Sequence, residues 1–170
     1  VKLASLEAIL AALTRHDVRY LIAGGLAVVA HGYGRLTLDL DLVVRLEPGN
    51  VRRALEALGS LGYCPVAPVP AEQFADPAIR ETWIREKNMV VFGLHSVRHP
   101  DTPIDIFAVE PFDFDQEFDR ALVGEIAPGI EARFVGLETL IRMKTATGRE
   151  RDQEDAMTLK RLKEKPDEDF

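Results

Sequence analysis

The sequence has a single cysteine, Cys64. That excludes a disulfide framework within the chain and a cysteine-rich zinc cluster, and it suits a reducing, cytoplasmic setting. Long apolar runs are missing too. The longest, Tyr20 to Ala30, is too short to span a bilayer and contains two glycines. Glu7 and Arg15 interrupt the first apolar segment, so it does not read as a signal peptide. Positive charge is in deficit: 21 Lys and Arg stand against 28 Asp and Glu, a net charge of -7. This argues against coating nucleic acid by bulk charge, though a local basic groove stays open. No Lys-Ser or Lys-Thr follows the Gly24-Gly25 pair, which excludes a P-loop. There is no internal repeat and no linker that would divide the chain.

What is present suits one globular domain over 1–165, with an acidic tail at 166–170. Hydrophobic residues make up 46% of the 170 positions, and a chain of this length buries roughly 70% of its unfolded surface. Leu3, Leu6, Leu10 and Leu13 recur at helical spacing, which predicts a helix over 2–15. Val18 to Ala23 reads as a buried strand, and Leu26 to His31 as a short helix. Leu38, Leu40 and Leu42 alternate with Asp39 and Asp41, which predicts a strand whose leucines all face the core. A helix follows Pro48-Gly49-Asn50, with Val51, Leu55, Leu58 and Leu61 inward. Four prolines between Gly62 and Pro77 predict a loop. Met89–Leu94 and Ile104–Val109 read as a hairpin. Phe112–Leu122 reads as a helix, Ile130–Val135 as a strand, and Leu137–Ala146 and Asp152–Leu162 as helices. The interleaving predicts an α/β (α+β) domain with a small mixed sheet flanked by helices and a helical C-terminal segment.

Asp39-Leu40-Asp41 is the most informative triplet. Side chains at i and i+2 of a strand share a face, with Cα atoms roughly 6.6 Å apart. Two carboxylates so placed can hold Mg²⁺, which prefers oxygen ligands and is usually shared with substrate phosphates. The plain alternative is a half-exposed strand with an acidic face, although Asp is depleted in strands. Gly24-Gly25 lies between a strand and a helix start, where glycine lets a phosphate approach the backbone; taken alone, the pair reads first as a simple tight turn. Asp105 sits between Ile104 and Ile106, half-buried in a strand and therefore in need of a cation, or else exposed at the strand end.

Together these residues resemble the nucleotidyltransferase superfamily with the polymerase-beta-type fold. The resemblance rests on Ala23-Gly24-Gly25, a gap of thirteen residues, Asp39-Leu40-Asp41-Leu42, and a third Asp on a later strand. The run from Gly24 through His31-Gly32, Arg35 and Thr37 is similar to small bacterial members related to toxin–antitoxin and abortive-infection nucleotidyltransferases. Leu140-Ile141-Arg142-Met143-Lys144, Gly148-Arg149 and Asp152–Asp155 resemble their C-terminal helical segment. The resemblance implies that Asp39, Asp41 and Asp105 are catalytic and hold two Mg²⁺ ions, with Asp105 also activating an acceptor hydroxyl. Gly24 and Gly25 would cradle the phosphates of ATP or another nucleoside triphosphate. The acceptor would be an RNA such as tRNA, a protein or a small molecule, and a small partner protein is expected in the toxin–antitoxin-type case. Members with Gly-Ser use the hydroxyl on phosphate, which Gly25 lacks.

Other residues carry two readings. Lys144 and Arg149 would neutralise triphosphate or simply lie on a solvated helix face. Arg35 and Thr37 would touch phosphate if the strand reaches them; otherwise Arg35 pairs with a carboxylate. His31 reads as structural before it reads as a ligand. Trp83 with Arg80, Arg85 and Lys87 forms either a stacking patch for nucleic acid or a surface helix with one buried Trp. Asp152, Glu154 and Asp155 among Arg149, Arg151 and Lys160 read as ion pairing along one helix. Two rival functions remain: a binding module of this fold without turnover, and another Asp-x-Asp metal enzyme such as a glycosyltransferase or phosphodiesterase.

Overall fold

The computed structural model describes residues 1–164; the acidic segment at 166–170 lies outside them. Seven strands form one mixed sheet in the order β3-β4-β5-β2-β1-β7-β6. In chain order the elements are α1 (Leu3–Arg15), β1 (Tyr20–Ile22), α2 (Gly24–Ala30), β2 (Leu40–Val44), α3 (Pro48–Ser60) and β3 (Cys64–Pro65). A 3₁₀ turn (Ala71–Ala75) then leads into α4 (Pro77–Lys87), β4 (Val91–His95), β5 (Ile104–Phe107) and α5 (Phe114–Asp119). The chain continues through β6 (Leu122–Ala127), β7 (Ile130–Phe134), α6 (Leu137–Ala146) and α7 (Glu150–Glu164). β1 and β7, and β2 and β5, run parallel; the remaining neighbours are antiparallel. The expected class holds, but the sheet is larger than the sequence suggests.

The centre of the sheet is dry. Leu40, Leu42, Ile104 and Ile106 are fully buried on paired strands. Leu38 is not part of this row. It is 73% exposed, because β2 begins at Leu40, where the Leu40 amide first pairs with the Pro103 carbonyl. α1 buries Leu6, Ile9, Leu10 and Leu13 and leaves Leu3 outside. α3 buries Val51, Ala54, Ala57 and Leu58, while Leu55 is only half-buried.

Three further expectations change. The 62–77 segment is not all loop: it supplies the short edge strand β3 and a 3₁₀ turn that buries Phe74. The helix expected over Phe112–Leu122 stops at Asp119, and Leu122–Ala127 is strand β6, hairpinned to β7. α4 is the helix with a buried Trp. Trp83 stacks on Phe92 with centroids 6.0 Å apart, and the buried Arg80 donates from Nη1 to the Phe74 carbonyl at 2.7 Å. With both inside, they present no stacking patch to nucleic acid.

Candidate active site

The pairing of β2 with β5 puts Asp41 opposite Asp105. Neighbouring strands lie about 4.8 Å apart, and alternation sends both carboxylates to the face opposite Leu40, Leu42, Ile104 and Ile106. Asp39 is the exposed residue just before β2, two positions from Asp41. The three expected carboxylates thus gather at one end of two central strands.

Two glycines make room for them. Gly24 starts α2 with φ +59°, the left-handed region, and a Cβ there would overlap the Asp41 carboxylate. Gly93 on β4 faces Asp105 across the antiparallel pair, and a Cβ on it would stand 3.4 Å from Asp105 Oδ1. Sequence reading missed Gly93; its signal is a glycine inside a strand, which often marks close approach of another group. Gly25 has a different neighbour. A Cβ on Gly25 would stand 2.8 Å from Thr37 Cβ and 3.2 Å from Arg35 Nη2, so the 33–39 loop lies directly on the turn.

The electrostatics follow from this crowding. Burial pushes the Asp41 carboxyl up to about 6, with help from Asp105 and Asp39; Lys144 and a hydrogen bond from the Gly25 amide pull the other way. Asp105 is also raised, first by burial and then by Asp39. Among the described residues, no three His, Cys, Asp or Glu side chains stand together in a ready-made metal-holding group. The donor set itself suits a hard cation: three carboxylates, two of them held above their ordinary pKa partly by uncompensated negative charge.

The structure gives Lys144 and Arg35 partners. Lys144 Nζ donates to Asp152 Oδ1 at 2.5 Å and lies 3.0 Å from Asp155 Oδ2, with all three side chains at most 10% exposed. Arg35 Nη2 donates to Asp155 Oδ2 at 2.8 Å, while the buried Arg35 Nε has no partner among the described residues. Thr37 Oγ1 donates to the Asp39 carbonyl at 3.3 Å. Asp152 and Asp155 therefore bridge α7 to α6 and to the 33–39 loop, rather than pairing along their own helix as expected. Burial raises the Asp152 carboxyl, but hydrogen bonds from Lys144 and Thr147 outweigh it and hold the carboxyl below the ordinary range. His31 is structural: its Nε2 is 2.8 Å from the Val135 carbonyl.

A depression of about 650 Å³ opens beside Gly24 and Asp41. Phe107, Phe112, Leu140 and Met143 form its apolar wall, and Arg142, Lys144 and Arg149 add positive charge. Asp39 and Asp105 do not line it. Its far side depends on Glu117, which sequence reading passed over. This fully buried carboxylate accepts from the Gly136 amide at 2.7 Å and from Thr139 Oγ1 at 2.8 Å, and so caps α6.

No family model matches the chain, and no curated protein sequence matches it. Solved structures do. The lincosamide antibiotic adenylyltransferase LnuA, lincomycin-bound, superposes with a TM-score of 0.56 at 17% identity, over 94% of this chain and 97% of that one. ANT(2″)-Ia in complex with adenylyl-2″-tobramycin gives 0.56 at 15% identity, over 92% of this chain and 86% of that one. An antigenic nucleotidyltransferase-like protein from Paracoccidioides brasiliensis gives 0.55 at 16% identity, over 94% and 76%. At these identities the likeness is one of fold: this chain has the fold seen in these nucleotidyltransferase structures.

Proposed function

We propose that this chain transfers a nucleoside monophosphate from a nucleoside triphosphate to a hydroxyl of an acceptor and releases pyrophosphate. One observation carries the reading: Asp41 and Asp105 are paired on adjacent parallel strands, beside Asp39 and against the Gly24 turn. Asp39, Asp41 and Asp105 would hold Mg²⁺, as two ions. When bound, magnesium supplies positive charge to the attacking and leaving oxygens.

The chain's own residues do the rest. Gly24 and Gly25 make room for Asp41 and for Thr37 and Arg35, so any cradling of phosphate by this turn would be through its backbone amides. Asp105, raised above its ordinary pKa, takes the proton of the acceptor hydroxyl. The hydroxyl oxygen then bonds to the α-phosphorus as the bond to pyrophosphate breaks in line. Arg142 and Arg149 add positive charge to the wall of the depression. Lys144 is committed to Asp152 and Asp155, so it acts on phosphate through its field rather than by contact. The apolar wall of Phe107, Phe112, Leu140 and Met143 suits a base or acceptor with an apolar face. A small-molecule acceptor is favoured over tRNA or protein by the similar structures that carry lincomycin and adenylyl-2″-tobramycin.

The test is incubation with each of four labelled ribonucleoside triphosphates, Mg²⁺ and cell extract. Label should appear on an acceptor with release of pyrophosphate, and it should vanish with Asp41→Asn. Equal transfer by the Asp41→Asn variant sinks the reading. The second reading is a nucleotide-binding module of this fold without turnover; the intact Asp39, Asp41 and Asp105 argue against it. Calorimetry selects it if nucleotide and Mg²⁺ bind while no product forms over a broad acceptor screen.

A further inference from the structure

Asp39 is carried by a segment without regular structure, residues 33–39. That segment is fastened from the far end of the chain. Arg35 Nη2 donates to Asp155 Oδ2 at 2.8 Å, and Arg151 Nη2 donates to the Leu36 carbonyl at 2.7 Å. The same Asp155 Oδ2 lies 3.0 Å from Lys144 Nζ. One carboxylate oxygen, on a side chain 2% exposed, thus joins a cation of the loop to a cation of α6. On the loop side, Arg35 and Thr37 rest on Gly25 and leave no space for a Cβ. On the α6 side, the Lys144 charge faces Asp41.

We infer that Asp155 is a positioning residue for the Asp39–Asp41 pair: through Arg35 it fixes the Asp39 loop on the Gly24–Gly25 turn, and through Lys144 it fixes the charge facing Asp41. The inference rests on the proposal that Asp39 and Asp41 hold a divalent cation. Its physical ground is the tolerance of such a site. Ligand side chains must be held within about 0.5 Å of productive geometry. Asp41 is held by its strand, but Asp39 lies one residue outside β2, so the distance between the two carboxylates is set by the loop. A buried carboxylate between two cations is a stiff anchor for that loop, because leaving either partner exposes a charge in a poorly solvated place. The shape of the site would thereby be decided partly by a helix that supplies none of the three carboxylates.

Two variants test this from opposite ends, Asp155→Asn and Arg35→Gln. Each is read by amide hydrogen exchange over residues 36–39, by calorimetric titration with Mn²⁺, and by circular dichroism for the fold. Exchange over 36–39 should rise roughly tenfold in both. Mn²⁺ affinity should fall about tenfold to a hundredfold, the loss typical when a partner that orients a metal ligand is removed. The double variant should be no worse than the worse single, because both cut one link, and Arg35→Lys should recover part of the loss. Parent-like exchange and Mn²⁺ affinity in folded variants would overturn the inference. If Asp155→Asn fails to fold, Arg35→Gln decides alone, since it leaves Asp155 paired with Lys144. If the parent itself binds no Mn²⁺, the cation proposal falls, and exchange over 36–39 still decides whether Asp155 holds the loop.

Discussion

The Asp41 carboxylate fills the place where any side chain on Gly24 would have to go. Gly24 is also in the left-handed region at φ +59°, so two separate constraints act on one position. Gly24→Ala should lose about 1–2 kcal/mol to backbone strain alone, and more as the Asp41 side chain is displaced. Thermal denaturation would show the loss, and labelled-nucleotide transfer should fall with it. A variant that melts with the parent would mean that the turn is not held as described.

Asp41 links stability to pH. Its carboxyl is raised from 3.8 to about 6 in the folded protein. The folded state therefore holds a proton that the unfolded state has lost, and stability falls as pH rises from about 4 through 6. Above that window the penalty is complete, about 2–3 kcal/mol by the size of the shift. Asp41→Asn should remove the Asp41 share of this slope, leaving that of Asp105, and be the more stable protein at pH 7 in chelator, while losing transfer on the order of a thousandfold. Urea denaturation at several pH values checks it; identical slopes in parent and variant would contradict the burial and crowding of Asp41. In the parent, Mn²⁺ should flatten the slope, because a bound cation favours the charged carboxylates.

Lys144 faces a different test. It is the cation shared by the buried Asp152 and Asp155. Lys144→Met leaves those carboxylates with Thr147 and Arg35 alone, and should cost about 3 kcal/mol. If Lys144 served a bound triphosphate and nothing else, the nucleotide-free variant would denature like the parent.

Glu117→Gln should loosen α6 at its first turn. The carboxylate accepts from the Gly136 amide, Thr139 Oγ1 and Arg120 Nε at 2.7–2.8 Å, fully buried. An amide can keep some of these bonds but not the charge, and about 2 kcal/mol should be lost. Faster amide exchange at the start of α6, ahead of the rest of the helix, is the expected signature.

The shared face of Asp41 and Asp105 was legible because alternation in a strand is local: Leu40 and Leu42 point one way and Asp41 the other, and Asp105 repeats the pattern. Leu38 was misread for the opposite reason, since where a strand begins depends on its partner, here Pro103. Strand β6 went unseen because it is an edge strand with Leu122 and Val123 exposed, so it carries little buried alternation. The Ala127-Pro128-Gly129 turn was its available signal. The charges of α7 looked like a solvated helix face. Their burial depends on Lys144 and Arg35, which lie on other elements, and no periodicity within α7 can report that.

The order of the sheet also bears on how the chain reaches its folded state. β2 and β5 are neighbours, yet α3, β3, α4 and β4 all lie between them in the chain. Asp41 and Asp105 therefore meet through one of the least local pairings of the sheet, and closing so long a loop carries an entropic cost that local hairpins escape. The β4–β5 and β6–β7 hairpins can zip early, while the carboxylates stay apart until β5 docks on β2. Until that docking, Asp105 does not stand beside Asp41, so the three-carboxylate arrangement is a late product of folding rather than an early one.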